Sequence, residues 1–294
     1  MLAYIEPLFR PPSEANSLIL QVTNGCSWNQ CTFCEMYTAP QKKFSAKKES
    51  LIFDDIKIAS QSYPDTRRIF LADGDAMVLS TRRLLSILQH IQLHFPKVNR
   101  VSTYCLPRNV KQKSIDELKE LQEAGLGLVY VGAESGDDEL LKLIEKGETL
   151  ASTVNSLQKL QSANIKTSVM ILNGLGGNIY TKQHAINSAQ LVNESQPNYL
   201  ATLVVSFPLG KERFLQSFPE NFQLLSQHGL FKEMANLIEH TNLQNTIFRS
   251  DHASNYLILK GVLGRDKHKL LEKLHIATKS PDKIHLREEW QRGL

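Results

Sequence analysis

Six apolar runs, at residues 18–22, 68–72, 100–105, 128–133, 165–172 and 199–206, alternate with stretches whose apolar residues recur at helical spacing. No other feature restricts the fold so strongly. Parallel strands need a long connection back to the same edge, so strand–helix–strand alternation is the pattern of a parallel sheet with helical crossovers. Helices are expected at 51–62, 81–94, 115–124, 137–147, 150–162 and 181–193. Ser114 with Glu117 makes a capping-box signature at the start of the third, which Gly125 ends. The alternation alone leaves open whether the sheet is flat or curved into a barrel.

At 294 residues the chain has room for one or two domains, and at 41% hydrophobic and 22% charged it has the composition of a folded protein rather than a disordered one. Its net charge of +4 comes from 34 basic and 30 acidic residues spread along the chain. The densest basic spot, Lys42, Lys43, Lys47 and Lys48, reads as a solvated loop, and nucleic-acid binding is not indicated. No apolar run approaches the ~20 residues of a membrane span. Residues 1–16 read as an extended lead-in, with Pro11 and Pro12 opposing a helix, and lack the order of a secretory signal. A cytoplasmic protein without a membrane partner is expected.

Directly after the first strand, Cys26, Cys31 and Cys34 stand at C-x4-C-x2-C spacing, three of the four cysteines in nine positions. Thiols gathered in this way suit a metal site better than a disulfide framework. A closed zinc site takes four ligands, which here would require Cys105 or a histidine. Three thiolates on a [4Fe–4S] cluster leave one iron open to another ligand.

With these residues the chain resembles the radical S-adenosylmethionine (radical SAM) superfamily, its core being most like the Elp3/MiaB/NifB-type branch. There a cysteine triplet follows the first barrel strand, usually as C-x3-C-x2-C, so one extra residue separates Cys26 from Cys31. Phe33 fills the aromatic slot before the last cysteine. The resemblance implies an α/β fold, a partial (β/α)6 TIM-type barrel, with function collected in loops at the carboxyl ends of the strands. It also implies two cofactors, a [4Fe–4S] cluster and S-adenosylmethionine. An electron passed through the cluster would cleave the sulfonium bond to a 5′-deoxyadenosyl radical that abstracts hydrogen from a substrate. An electron donor such as flavodoxin or ferredoxin is implied as a partner.

The remaining cofactor contacts follow from the same resemblance. Asp73, Gly74 and Asp75 end the second strand where the family places a Gly-Gly-Glu element that meets the ammonium of S-adenosylmethionine; taken alone, they are a turn. Glu134, within Gly132–Gly136, matches a G-x-E-S-G element facing the ribose or amine, or is an acidic residue at a helix start. Asn173 and Gly174 end the fifth strand, where family backbone pairs with the adenine edge. Ser102 is a candidate ribose contact or a core serine. Cys105, at the end of the third strand, is a candidate hydrogen donor or a small buried hydrophobe. His252 and Asn255 line the cavity or cap local backbone, and Trp28 anchors the cysteine loop.

The expected organisation is a lead-in at 1–16, a core barrel at 17–206 and a mainly helical C-terminal extension at 207–294, with helices at 214–230, 231–243 and 266–274. The overall reading is a radical SAM enzyme of unidentified substrate. A non-catalytic metal or iron–sulfur redox sensor, or a cluster carrier, is the alternative.

Overall fold

The computed structural model describes Leu2 and residues 4–292. In chain order, β1 (Leu18–Gln21) and a short β2 (Thr23–Asn24) lead into the cysteine loop, followed by β3 (Ser45–Ala46), α1 (Glu49–Ser62) and β4 (Arg68–Ala72). Next come α2 (Thr81–His94), β5 (Arg100–Tyr104), α3 (Pro107–Lys111), α4 (Ile115–Glu123) and β6 (Leu126–Glu134). Then follow α5 (Asp138–Leu143), α6 (Leu150–Ser162), β7 (Lys166–Asn173), α7 (Gly177–Ser195) and β8 (Tyr199–Val204). The chain ends with α8 (Glu212–Leu215), α9 (Gln227–His240), β9 (Ile247–Ser250), β10 (Leu259–Val262) and α10 (Lys267–Lys279). The six strands expected from apolar runs are all present, each separated from the next by helix.

The residues fall into two compact units. The first comprises the residues to Asn29, Cys34–Val131 and Ser156–Thr167. Its strands β1, β4, β5 and β6 pair in that order and all parallel, with Leu18 opposite Ile69, Ile69 opposite Val101 and Val101 opposite Leu126. Ile69, Phe70 and Leu71 are fully buried in succession, as expected of a parallel strand covered on both faces. The covering stripes are the apolar faces of α1 (Ile52, Ile56, Ala59) and α2 (Leu84, Ile87, Leu88, Ile91). The lead-in is extended except for one 3-10 turn at Pro12–Glu14. There the buried Glu14 carboxylate pairs with Arg100 at 2.8 Å and accepts the Tyr130 hydroxyl at 2.7 Å.

The second unit comprises Gln30–Phe33, Gly132–Asn155 and the chain from Ser168 onward. Here β7, β8 and β9 run parallel, and β10 turns back antiparallel on β9. Leu140, Leu141, Ile144, Leu175, Phe214 and Phe222 form an apolar core cluster. The C-terminal extension carries the expected helices as α9 and α10, but departs from the sequence reading in two ways. Residues 214–230 are not one helix: α8 stops at Leu215, and the chain reaches α9 through a loop. Phe214, Phe218 and Phe222 keep an i, i+4, i+8 spacing that imitates a helix, yet Pro219 cannot continue one. Their rings pack on one another instead, Phe218 and Phe222 stacked at 4.0 Å. The second departure is that the segment after α9, expected to be extended, pairs into the sheet: it supplies β9 and, with β10, adds two strands to the unit.

Candidate cofactor site at the strand ends

The end of β4 ties down the cysteine loop on the first unit's side. Asp73 forms an ion pair with Lys42, both side chains fully buried. The same ammonium donates to the Ile5 carbonyl at 2.9 Å, and Gly25 N–H reaches Asp73 Oδ2 at 3.4 Å. Burial pushes the Asp73 carboxyl up from its ordinary value, against the pull of Lys42. Lys42 is therefore no part of a solvated basic loop. Lys47 is likewise engaged, with Asp55.

Asp75, two residues on, accepts the Ser27 hydroxyl and the Asn109 side-chain amide, so it holds the residue next to Cys26. Burial pushes its carboxyl up to about 6, although both donors favour the charged form. Gly74 lies against the buried Tyr37; a Cβ there would come within 2.5 Å of the ring. Trp28 carries the Arg108 guanidinium over its ring at 3.8 Å and anchors the loop as expected. Both acids of the Asp-Gly-Asp element are thus turned toward the loop that bears the cysteines.

Cys26 and Cys34 belong to this unit and Cys31 to the other; all three are half-buried. In the second unit, Thr32 N–H donates to the Ile144 carbonyl at 3.0 Å, Arg213 donates to Gln30 O at 3.0 Å, and Phe33 packs on the apolar cluster. Among the described residues, no three His, Cys, Asp or Glu side chains are gathered closely enough to hold a metal ion. The donor set itself fits an iron–sulfur cluster: three accessible thiols on one short loop, soft ligands of the kind such clusters take.

The other expected contacts divide. Glu134 has a left-handed backbone (φ 64°), and its carboxylate meets Lys146 at 3.0 Å. Ser135 Oγ stands 2.8 Å from His184 Nδ1, and Asp137 caps α5 by accepting Leu140 N–H at 2.9 Å. At the end of β7, Asn173 donates to Leu230 O at 3.3 Å while its own Oδ1 is buried without a hydrogen-bond partner. Asn173 lines a cavity of about 20 Å³, room for roughly one water. Gly174 N–H donates to Glu233 Oε1 at 2.6 Å.

Ser102 is placed elsewhere: fully buried, its hydroxyl donates to Ile69 O at 3.4 Å, back into the sheet. Cys105 is buried at the end of β5, its N–H on Tyr130 O at 2.9 Å. Asn255 is a cap, accepting Val204 N–H at 2.9 Å and donating to Thr202 O at 2.8 Å, and His252 Nδ1 lies 2.9 Å from Ser254 Oγ. Lys42 is marked by the sequence only as part of a solvated basic run, and Asn109, His184 and Glu233 are not marked. Their partners lie 31, 34, 49 and 59 positions away, and no local pattern points to those pairings.

An α/β chain with helix-separated parallel strands and a thiol-bearing loop after the first strand defines the class: a strand-end cofactor protein. The model of the radical SAM superfamily matches residues 20–191, and the chain belongs to that superfamily. The match is coarser than the Elp3/MiaB/NifB-type branch. Among curated proteins the chain is similar to a 4′-phospho-dehydrooxetanocin synthase of Priestia megaterium, 22% identical over 52% of this chain and 23% of that protein. It is also similar to the heme chaperone HemW of Bacillus subtilis, 25% identical over 45% of this chain and 35% of that protein. The chain therefore spans about a third or less of the length of these relatives. Among solved structures, coproporphyrinogen III oxidase (HemN) of Escherichia coli, described as a radical SAM enzyme, covers 76% of this chain and 50% of its own, at TM-score 0.54 and 13% identity. That likeness shows the fold, the partial (β/α)6 barrel that the resemblance implies.

Proposed function

We propose that the protein is a radical SAM enzyme that binds one [4Fe–4S] cluster through Cys26, Cys31 and Cys34 and uses S-adenosylmethionine to start hydrogen abstraction from a substrate. The observation that carries this reading is the loop itself: three half-buried thiols, backed by Asp73 and Asp75 and lying inside the family match over residues 20–191. When bound, the cluster supplies the electron that cleaves S-adenosylmethionine to a 5′-deoxyadenosyl radical. The chain's own residues do the positioning. Asp75 holds Ser27 and thereby the start of the loop, and the Lys42–Asp73 pair fixes Gly25. Phe33 seats the far part of the loop in an apolar pocket.

Glu134, Asn173 and the Gly174 carbonyl lie at strand ends, where they would meet the adenosyl group, the Gly174 N–H being already spent on Glu233. Gly74 is the close-approach position for the methionine end. The reductant is of the flavodoxin or ferredoxin kind, and residues 207–294 select the substrate. Among the described residues no helix is long and apolar enough to cross a membrane.

The test is anaerobic: load with iron and sulfide, reduce, add S-adenosylmethionine and assay 5′-deoxyadenosine beside a Cys34→Ala control. Cysteine-dependent product is the expected result. Uptake of zinc with no response to S-adenosylmethionine would sink the proposal.

A further inference from the structure

Glu233 belongs to α9, in the C-terminal extension, yet its carboxylate is spent on the end of a barrel strand. Its side chain is almost wholly buried, and Oε1 accepts the Gly174 N–H at 2.6 Å. One helical turn earlier, Leu230 makes two further contacts with the same loop. Its carbonyl accepts Asn173 Nδ2 at 3.3 Å, and its Cδ2 occupies the place where a Gly174 Cβ would stand, 2.7 Å away. Gly174 itself has φ +88°, a conformation that side-chain-bearing residues adopt only at a cost.

His184 joins this loop to the next strand end. Its Nε2 is 3.0 Å from Leu172 O and 3.8 Å from Glu233 Oε1. A carbonyl can only accept, so Nε2 carries a proton. Its Nδ1 meets Ser135 Oγ at 2.8 Å, and that oxygen accepts the Asp137 N–H at 2.9 Å. The hydrogen-bonded path Leu172–His184–Ser135–Asp137 thus links the carboxyl end of β7 to that of β6, with the Glu233 carboxylate that holds Gly174 set 3.8 Å from His184, all among groups almost wholly buried. Ligands of parallel α/β folds bind at such ends.

We infer that Glu233 and His184 are positioning residues for the cofactor: they hold the Asn173–Gly174 and Glu134–Gly136 loops in register, so that the C-terminal extension completes the S-adenosylmethionine site. The inference rests on the proposed function and adds residues to that same site. Loosening the relay weakens cofactor affinity and leaves the electron-transfer step intact. Glu233→Gln keeps an acceptor for Gly174 N–H, whereas Glu233→Ala leaves that amide buried and unpaired.

The experiment uses the cluster-loaded, unreduced full chain and titrates S-adenosylmethionine by calorimetry, with iron content matched between variants. Glu233→Ala and His184→Ala should each raise Kd about tenfold and Glu233→Gln less than about threefold. Under reduction, 5′-deoxyadenosine formation at saturating S-adenosylmethionine should stay within about threefold of wild type, so the loss falls on KM rather than kcat. A role confined to folding would lower thermal stability and spare Kd, and that result overturns the inference. Glu233→Gln binding as poorly as Glu233→Ala overturns it as well. Should Glu233→Ala not fold, Ser135→Ala carries the test from the far end, with an unchanged Kd counting against the relay. A wild-type holoenzyme that binds no S-adenosylmethionine defeats the functional reading and the inference together; normal binding by wild type and Glu233→Ala alike defeats the inference alone.

Discussion

The two units pin their strand-end loops by different physics. In the first, the end of β4 holds the cysteine loop with charge: a fully buried Lys42–Asp73 pair, and an Asp75 carboxyl raised by burial and held by two donors. In the second, the end of β7 is held by hydrogen bonds, Glu233 accepting Gly174 N–H and His184 Nε2 donating to Leu172 O, and the end of β6 by the Ser135–His184 contact beside the nearly buried Glu134–Lys146 pair. A buried ion pair tolerates removal of both members far better than removal of one, because the survivor is left uncompensated in a poor dielectric. A hydrogen-bonded chain fails in smaller steps. The loop bearing the candidate cluster ligands therefore sits on an all-or-none support, while the loop at the end of β7 rests on a graded one.

That contrast is open to direct attack. The largest effect is expected from Lys42→Ala, which strands Asp73 inside the first unit and should cost about 3–5 kcal/mol of unfolding free energy. The double variant Lys42→Met with Asp73→Leu should recover most of that loss. Urea denaturation of the two decides it; a single variant no worse than the double would show that charge is not the support. Next come the two glycines. Gly74→Ala forces a methyl against the buried Tyr37 ring and should cost about 3 kcal/mol. Gly174→Ala meets only the tip of Leu230, so its cost, about 1–2 kcal/mol, is mainly that of the left-handed backbone. Equal losses in thermal denaturation would erase the distinction between a rigid and a yielding neighbour.

The pH dependence tests the support in the first unit directly. Asp75 holds its proton to about pH 6 in the fold, while in the unfolded chain it titrates near its ordinary value of 3.8. Between those values the native state binds the extra proton. Asp75 therefore favours folding at low pH, and this contribution is lost as pH rises through about 6. Two units correspond to about 3 kcal/mol. The stability of Asp75→Asn relative to wild type should thus become more favourable by up to about 3 kcal/mol from pH 4 to 7, read from urea curves at each pH. Parallel curves would mean that the carboxyl titrates normally.

How legible all this was depends on the range of the interaction. The six strands, the Ser114–Glu117 capping box and the helix stop at Gly125 are local, and the structure has them where the residues put them, with Glu117 N–H on Ser114 Oγ at 3.0 Å. The cysteine loop and the Asp-Gly-Asp and Glu-Ser-Gly elements were legible as motifs because a resemblance gave their positions meaning. The partners of those motifs were not. Lys42 lies in a run of lysines that looks solvated, and only the long return from β3 through α1 to β4 brings it to Asp73. Glu233 is one of two acids on an amphipathic helix. The spacing of Phe214, Phe218 and Phe222 misled because packed rings and a helix face share a period. The strands β9 and β10 are four residues each, too short for alternation to stand out.

The smallest prediction is also the sharpest on the difference between the units. Ser27→Ala removes one donor to Asp75, and Ser226→Ala removes the N-cap of α9, which accepts Gly229 N–H at 3.2 Å. Each should cost about 1 kcal/mol at neutral pH, so stability at one pH does not tell them apart. Their pH profiles should. The Ser27 hydroxyl favours the charged form of Asp75, so its loss moves the Asp75 step above pH 6, still further from the unfolded value. Ser226 caps an amide, which does not titrate, and its loss should shift the whole curve downward without moving the step. If Ser27→Ala also leaves the step in place, Asp75 is held by Asn109 alone, and the tether between the end of β4 and the cysteine loop is weaker than the geometry implies.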